Sequence, residues 1–291
     1  MIDDWIANAY AGMSRRQFLA WMSSAGVALA GFAASAKSVA GEVITTPSEG
    51  LVTAGVTVNS GGFPVPVYEA YPAAAGKYPI VIVLPEIFGM HEHIKDVTRR
   101  FAKAGFFSVT FEPYARDGGV AHLKDIADVR KVADSVPDER VMADIDSLVA
   151  YAKKHPSARA DRLGMTGFCR GGLYTFLYAA RSSDVQAAVA WYGQLKPAKT
   201  PGIRTAGPID VAARITVPVL GLYGEKDLGI PVADVREMES ALKEAGKTAE
   251  FVIYPDAPHA FHADYRPSYR PDAAKDAWRR CVAWFSRYLG S

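Results

Sequence analysis

Cysteine is nearly missing from this chain, with two in 291 residues. Two cannot build a disulfide framework, and no C-x-x-C spacing offers zinc a site. Neither a metal nor any other cofactor is expected. A dominant charge is missing as well: 33 basic and 31 acidic residues leave a formal net charge of +2. No basic block or aromatic-interleaved basic stripe is present, so nucleic acid is not an expected partner. There is no internal repeat and no long linker, which argues for one catalytic domain. What is there is 49% hydrophobic and 22% charged, an ordinary globular composition able to bury a well-developed core.

One uncharged stretch stands out, Ala20 to Ala36, rich in Ala, Gly and Ser. It follows Ser14-Arg15-Arg16-Gln17-Phe18-Leu19, and paired arginines before a mildly apolar segment resemble a twin-arginine export signal. As a membrane anchor the stretch is short and weakly hydrophobic. Small residues at Ser38-Val39-Ala40 suit a signal peptidase. The expected organisation is therefore an export signal over 1–40, cleaved before a catalytic domain over 41–291. That implies the twin-arginine export machinery as a partner and the periplasm as destination.

From Gly50 onward the pattern predicts strands alternating with helices. Val52–Asn59 and Phe63–Tyr71 read as an antiparallel pair turning at Ser60-Gly61-Gly62. Tyr78–Leu84 is a continuous β-branched run, as in a strand covered on both faces. Helices are expected over Glu92–Ala104, Asp138–Lys154, Asp234–Ala245 and Asp272–Leu289, and strands over Phe106–Phe111, Ala187–Tyr192, Val217–Tyr223 and Phe251–Tyr254. Alternation of this kind implies an α/β fold, a mostly parallel sheet with helices on both faces. Lys196–Pro208, rich in Pro, Gly, Ala and Thr, reads as a surface loop bordering the site.

The chemistry concentrates at Gly167-Phe168-Cys169-Arg170-Gly171-Gly172. This has the form of a nucleophile elbow, a strained strand-to-helix turn, with cysteine where most carry serine. A side chain at Gly167 or Gly171 would collide with neighbouring backbone. Asp161–Thr166 reads as the strand before it and Leu173–Ala180 as the helix after it. A nucleophile needs a base, and the base an orienting acid, in the order nucleophile, acid, histidine behind successive strands. Asp227 follows the Val217–Leu222 run and His259 follows Phe251–Tyr254. Glu225 and Asp256 compete for the acid's role. His259 and His262 form an H-x-x-H pair without a third convergent ligand, so His262 is expected to be a helper or a surface residue. Cys281 falls on the apolar stripe of the last helix.

Pro85-Glu86-Ile87-Phe88-Gly89, the elbow, Trp191-Tyr192-Gly193, Gly224-Glu225-Lys226-Asp227 and His259-Ala260-Phe261 together resemble the dienelactone hydrolase (carboxymethylenebutenolidase) family, over about Leu51 to Leu289. The resemblance implies an α/β-hydrolase fold and a Cys169–Asp227–His259 triad. It also implies a Glu86 carboxylate set against the resting thiol, controlling when the thiolate forms. Backbone N–H groups of Ile87 and Arg170 would form the oxyanion hole, and Trp191, Tyr192, Phe261 and Arg266 are the candidates for substrate contact. The family's arginine four residues past the histidine is replaced here by Ala263, which leaves Arg266 or Arg270 to substitute. The implied activity is hydrolysis of a small ester or lactone through a thioester, favouring good leaving groups such as enols. Two other functions fit the same residues: hydrolysis of a thioester or peptide bond, and a catalytically silent binding protein.

Overall fold

The computed structural model describes residues 43–290, so the export signal expected over 1–40 lies outside the described residues. The first strands of the described residues form a hairpin of β1 (Leu51–Ser60) and β2 (Phe63–Pro72), antiparallel and in register from Leu51↔Pro72 to Ser60↔Phe63. Its turn is Gly61-Gly62, both at positive φ, as a tight hairpin requires. β3 (Tyr78–Leu84), α1 (Glu92–Lys103) and β4 (Phe107–Phe111) follow, then α2 (Ile126–Ser135), α3 (Asp138–Lys154), β5 (Ala158–Phe168) and α4 (Arg170–Ala179). The remainder is β6 (Ala187–Trp191), the one-turn α5 (Pro208–Val211), β7 (Val219–Gly224), α6 (Val232–Glu244), β8 (Ala249–Tyr254) and α7 (Pro271–Leu289).

The eight strands form one sheet in the order β1-β2-β4-β3-β5-β6-β7-β8. Pairing is antiparallel from β1 to β4 and parallel from there to β8. This is the expected α/β-hydrolase architecture. β3 is buried from Pro79 to Leu84, and β4 and β6 throughout, as sheets covered on both faces demand.

Two glycines of β5 show which helix lies on which face. A Cβ on Gly164 would stand 2.7 Å from the Phe285 ring of α7, whereas one on Gly167 would stand 2.2 Å from the Gly171 carbonyl oxygen of α4. Residues three apart on a strand point to opposite faces, so α7 and α4 sandwich the sheet. α1 shares the α7 face, with the Phe101 and Trp278 rings 4.6 Å apart. α3 shares the α4 face, with Tyr178 donating to Asp146. Phe285, Leu289 and Cys281 bury the α7 stripe completely. Each of the larger apolar side chains contributes about 1.5–3 kcal/mol.

Two local expectations shift. The elbow strand is eleven residues long, starting at Ala158, and α4 begins at Arg170, because the weak helix formers Gly171 and Gly172 are held helical by close packing rather than by propensity. The helix α2, which no expectation covered, buries only Val129 and Ala133. An apolar stripe that thin leaves little periodicity to read. It starts on Asp125, whose carboxylate accepts the Ala127 N–H at 2.8 Å.

Candidate active site

Strands β3, β5, β6, β7 and β8 are parallel neighbours, so the residues just past their carboxyl ends gather on one rim. Those residues are Glu86, Cys169, Tyr192, Asp227 and His259. Cys169 sits at φ 54°, ψ −113°, a conformation an L-residue holds only when its surroundings enforce it. The enforcement is steric. A Cβ on Gly167 would lie 2.2 Å from the Gly171 carbonyl oxygen, and one on Gly171 would lie 2.2 Å from that of Leu84. The Cys169 N–H donates to the Trp191 carbonyl at 3.0 Å and the Tyr192 N–H to that of Leu222 at 2.9 Å, which lines up the strand ends.

His259 Nδ1 lies 2.7 Å from Asp227 Oδ2. The other carboxylate oxygen accepts the backbone N–H of Gly229 at 2.9 Å and of Ile230 at 3.1 Å, so Asp227 cannot swing away. The alternatives separate cleanly: Asp227 is buried, whereas Glu225 and Asp256 are exposed. Cys169 and His259 line the same cavity, and the thiol acts electrostatically on the imidazole. Burial opposes a charge on that ring, but Asp227 and Cys169 outweigh it and raise the imidazole to about 10. Cys169 and Cys281 are both free thiols.

Glu86 is buried, and Oε2 accepts the Tyr265 hydroxyl at 2.6 Å and faces His91 Nε2 at 3.4 Å. Burial pushes its carboxyl up, but His91, Arg266 and His93 reverse this and hold it at about 2. Glu86 is therefore an ion at neutral pH. Oε1, equally buried, has no hydrogen-bond partner among the described residues, an unusual state for a carboxylate oxygen.

Above Cys169 opens a cavity of about 330 Å³, lined on the near side by Ile87, Tyr192, His259 and Arg266. Its far wall comes from α2 and from the 194–204 loop, through Ile126, Arg130, Gln194, Thr200, Ile203 and Arg204. Tyr192 adopts φ 37°, and its buried hydroxyl has no hydrogen-bond partner among the described residues. Arg170 lines the cavity while its guanidinium pairs with Asp134. Being the first residue of α4, its N–H has no carbonyl one turn back to bind.

Three sequence expectations need correction. Trp191 and Phe261 are fully buried and lie off the cavity wall. The Trp191 indole N–H donates to Thr166 Oγ1 at 3.1 Å, and Phe261 packs edge-on beneath Tyr192 at 5.5 Å. Both support the site from behind, because the strand and loop carrying them turn those side chains inward. Of the two readings of His262, a helper or a surface residue, its burial removes the second. Its ring is stacked against Phe168 and Trp278, with Trp191 tilted beside it, and burial keeps its pKa well below the ordinary value. Ala263 is fully buried; Arg266 takes the wall position, while Arg270 turns to the carbonyls of Pro267 and Tyr269. Among the described residues no three His, Cys, Asp or Glu side chains converge to hold a metal ion.

Sequence reasoning missed Tyr265, His91, His93 and Asp264. Their common signal was thin, two histidines opening α1 and an Asp-Tyr-Arg run after His259.

Residues 65–289 match the dienelactone hydrolase family description. A protein of Methylorubrum extorquens provisionally named carboxymethylenebutenolidase is 47% identical over 277 residues, 95% of this chain and 94% of the relative. An Escherichia coli protein with the same provisional name is 42% identical over 262 residues, 89% of this chain and 96% of the relative. A crystal structure from Klebsiella pneumoniae, described provisionally as a dienelactone hydrolase, superposes with a TM-score of 0.79 at 45% identity, over 82% of this chain and 99% of that one.

Proposed function

The chain belongs to the dienelactone hydrolase family, and on that footing we propose that it cleaves a small ester or lactone by attack of Cys169, with His259 as proton carrier and Asp227 as its anchor. The observation that carries this reading is the Asp227–His259 hydrogen bond next to Cys169 on a strained elbow, with Cys169 and His259 lining one cavity. The thiolate attacks the carbonyl carbon, and the oxyanion is received by the N–H groups of Ile87 and Arg170. The imidazolium of His259 gives its proton to the departing oxygen. Neutral His259 then draws a proton from water, which hydrolyses the thioester and frees Cys169. Because a thiolate is itself readily expelled, the alcohol must be a good leaving group, such as an enol.

Arg266 supports a narrower substrate class. Of the four cavity arginines, Arg170 and Arg204 are tied to Asp134 and Asp138 and Arg130 lies on the far wall, whereas Arg266 stands on the near side with His259 and in no ion pair among the described residues. With the unpartnered Tyr192 hydroxyl beside it, Arg266 suits a carboxylate on the substrate. Wild type, Cys169→Ala and Arg266→Gln assayed on neutral and carboxylated enol esters and lactones test both points. Cys169→Ala should lose turnover and iodoacetamide labelling. Arg266→Gln should raise KM about tenfold or more for carboxylated substrates only. Absence of turnover on every ester, or an equal KM change on neutral substrates, rejects the respective part. Turnover of thioesters or acyl-peptides alone would favour the same-fold alternative, and an unreactive Cys169 the binding protein.

The Arg15-Arg16 pair and the uncharged stretch after it support export through the twin-arginine route to the periplasm. Replacing both arginines by lysine should leave the enzyme in the cytoplasmic fraction. An unchanged distribution between fractions would overturn the assignment.

A further inference from the structure

His259, Tyr265 and Arg266 all sit on one irregular loop between β8 and α7, and no helix or strand fixes its course. Its shape must come from anchors. His259 is tied to Asp227 and Tyr265 to Glu86. The third anchor is Asp264, buried at 5% exposure and outside the catalytic constellation. Oδ1 lies 3.2 Å from His93 Nδ1, in the first turn of α1. Oδ2 accepts from Arg100 Nη2 at 2.5 Å, two turns further on, and from the Ile44 N–H at 3.3 Å. Asp264 thus grips α1 at two points along its length.

The grip continues to the start of the described chain. Arg100 bridges two carboxylates, donating through Nε to Asp96 Oδ2 at 2.6 Å as well as to Asp264. Asp96, fully buried, accepts the Thr46 N–H at 2.6 Å and the Thr46 hydroxyl at 3.3 Å. Arg99 Nε returns a bond to the Thr46 carbonyl at 3.1 Å. Two buried carboxylates, one bridging guanidinium and the 44–46 segment therefore form one clamp on the α1 side of the loop. Burial raises the Asp264 carboxyl, but His93 and Arg100 hold it well below the usual carboxylate range. Asp264 therefore stays ionised at working pH.

We propose that Asp264, locked by His93 and Arg100 and closed over by the 44–46 segment, is the positioning residue that sets His259 and Arg266 at their working places. This rests on the catalytic reading above. The charge pattern has no other evident use: a buried carboxylate with two cationic or proton-bearing partners is expensive to assemble and adds little net stability over apolar packing. The loop residues that gain from it are the ones facing the cavity. A shift of about 1 Å in such a loop costs up to about a hundredfold in rate.

The test is Asp264→Asn in the full enzyme, which keeps shape and removes charge, compared with Asp144→Asn. The latter removes a buried carboxylate paired with Arg116 elsewhere. Iodoacetamide labelling of Cys169 is followed against pH, with kcat/KM and thermal unfolding alongside. Asp264→Asn should move the labelling curve alkaline by about one pH unit, a tenfold smaller thiolate fraction at neutral pH, and lower kcat/KM about tenfold or more. Asp144→Asn should lower the unfolding temperature and leave the curve in place. Should Asp264→Asn fail to fold, Arg100→Lys, which keeps the charge but cannot span both carboxylates, carries the same expectation. A labelling curve that superposes on wild type in the folded variant overturns the proposal. A wild-type Cys169 that never labels instead refutes the catalytic reading itself.

Discussion

At the scale of residues, the proposed chemistry sets two charged groups of opposite sign about Cys169. In the proposed mechanism His259, anchored by Asp227 and raised to about 10, offers a cation to the attacking sulfur. In the same mechanism Glu86, a buried ion that shares Tyr192 and Arg266 as electrostatic neighbours with the thiol, guards Cys169 by disfavouring a second negative charge beside it. Removing that charge should free the thiolate. In Glu86→Gln, Cys169 is expected to be inactivated by peroxide several-fold faster than in wild type, as measured by residual esterase activity. An unchanged rate would reject the protective role. Glu86 as a candidate was legible in the chain through the Pro85–Gly89 motif. Its clasp by Tyr265 and His91 was not, because 179 residues separate Glu86 from Tyr265 and neither carries a local pattern.

At the scale of elements, the cavity above Cys169 is half strand-end and half loop. The most buried ion pair holding the far wall is Arg204–Asp138. Arg204 Nε and Nη2 donate to the two carboxylate oxygens of Asp138 at 3.0 and 2.9 Å, and Tyr174 adds its hydroxyl at 3.1 Å. Asp138 opens α3, where the helix end also favours a negative charge, and its N–H holds the Ile203 carbonyl at 2.8 Å. Arg204→Ala leaves that buried carboxylate without its cation. It should cost about 3 kcal/mol of stability and raise KM more than it lowers kcat, read from denaturant unfolding and steady-state kinetics. Unaltered KM would mean that the 194–204 loop keeps its place without the clasp. Lys196–Pro208 read correctly as a loop at the site. That it forms the wall with α2 followed only from the fold, since α2 hides its thin apolar face in a polar sequence.

For the whole molecule, two buried site groups predict how stability varies with pH. Glu86 has its pKa lowered from 4.5 to about 2. Its contribution is complete above about 4.5 and is lost as pH falls toward 2. His259 is raised from 6.5 to about 10, so its contribution is complete below 6.5 and is lost as pH rises toward 10. From these two groups, urea midpoints should be highest between about pH 4.5 and 6.5 and fall on both sides. Glu86→Gln should flatten the acid limb and Asp227→Asn the alkaline limb. Limbs unmoved by these substitutions would show that other groups govern the profile.

Short-range sterics and periodicity were enough to define the elbow, the alternating strands and helices, and the order Cys169, Asp227, His259, because each depends on neighbours a few residues away. The choice among Asp227, Glu225 and Asp256, the inward turn of Trp191 and Phe261, the selection of Arg266 for the cavity wall and the Asp264 clamp all needed the folded chain. They are matters of burial and of partners up to 220 residues apart, and no local pattern encodes which side of a loop is covered.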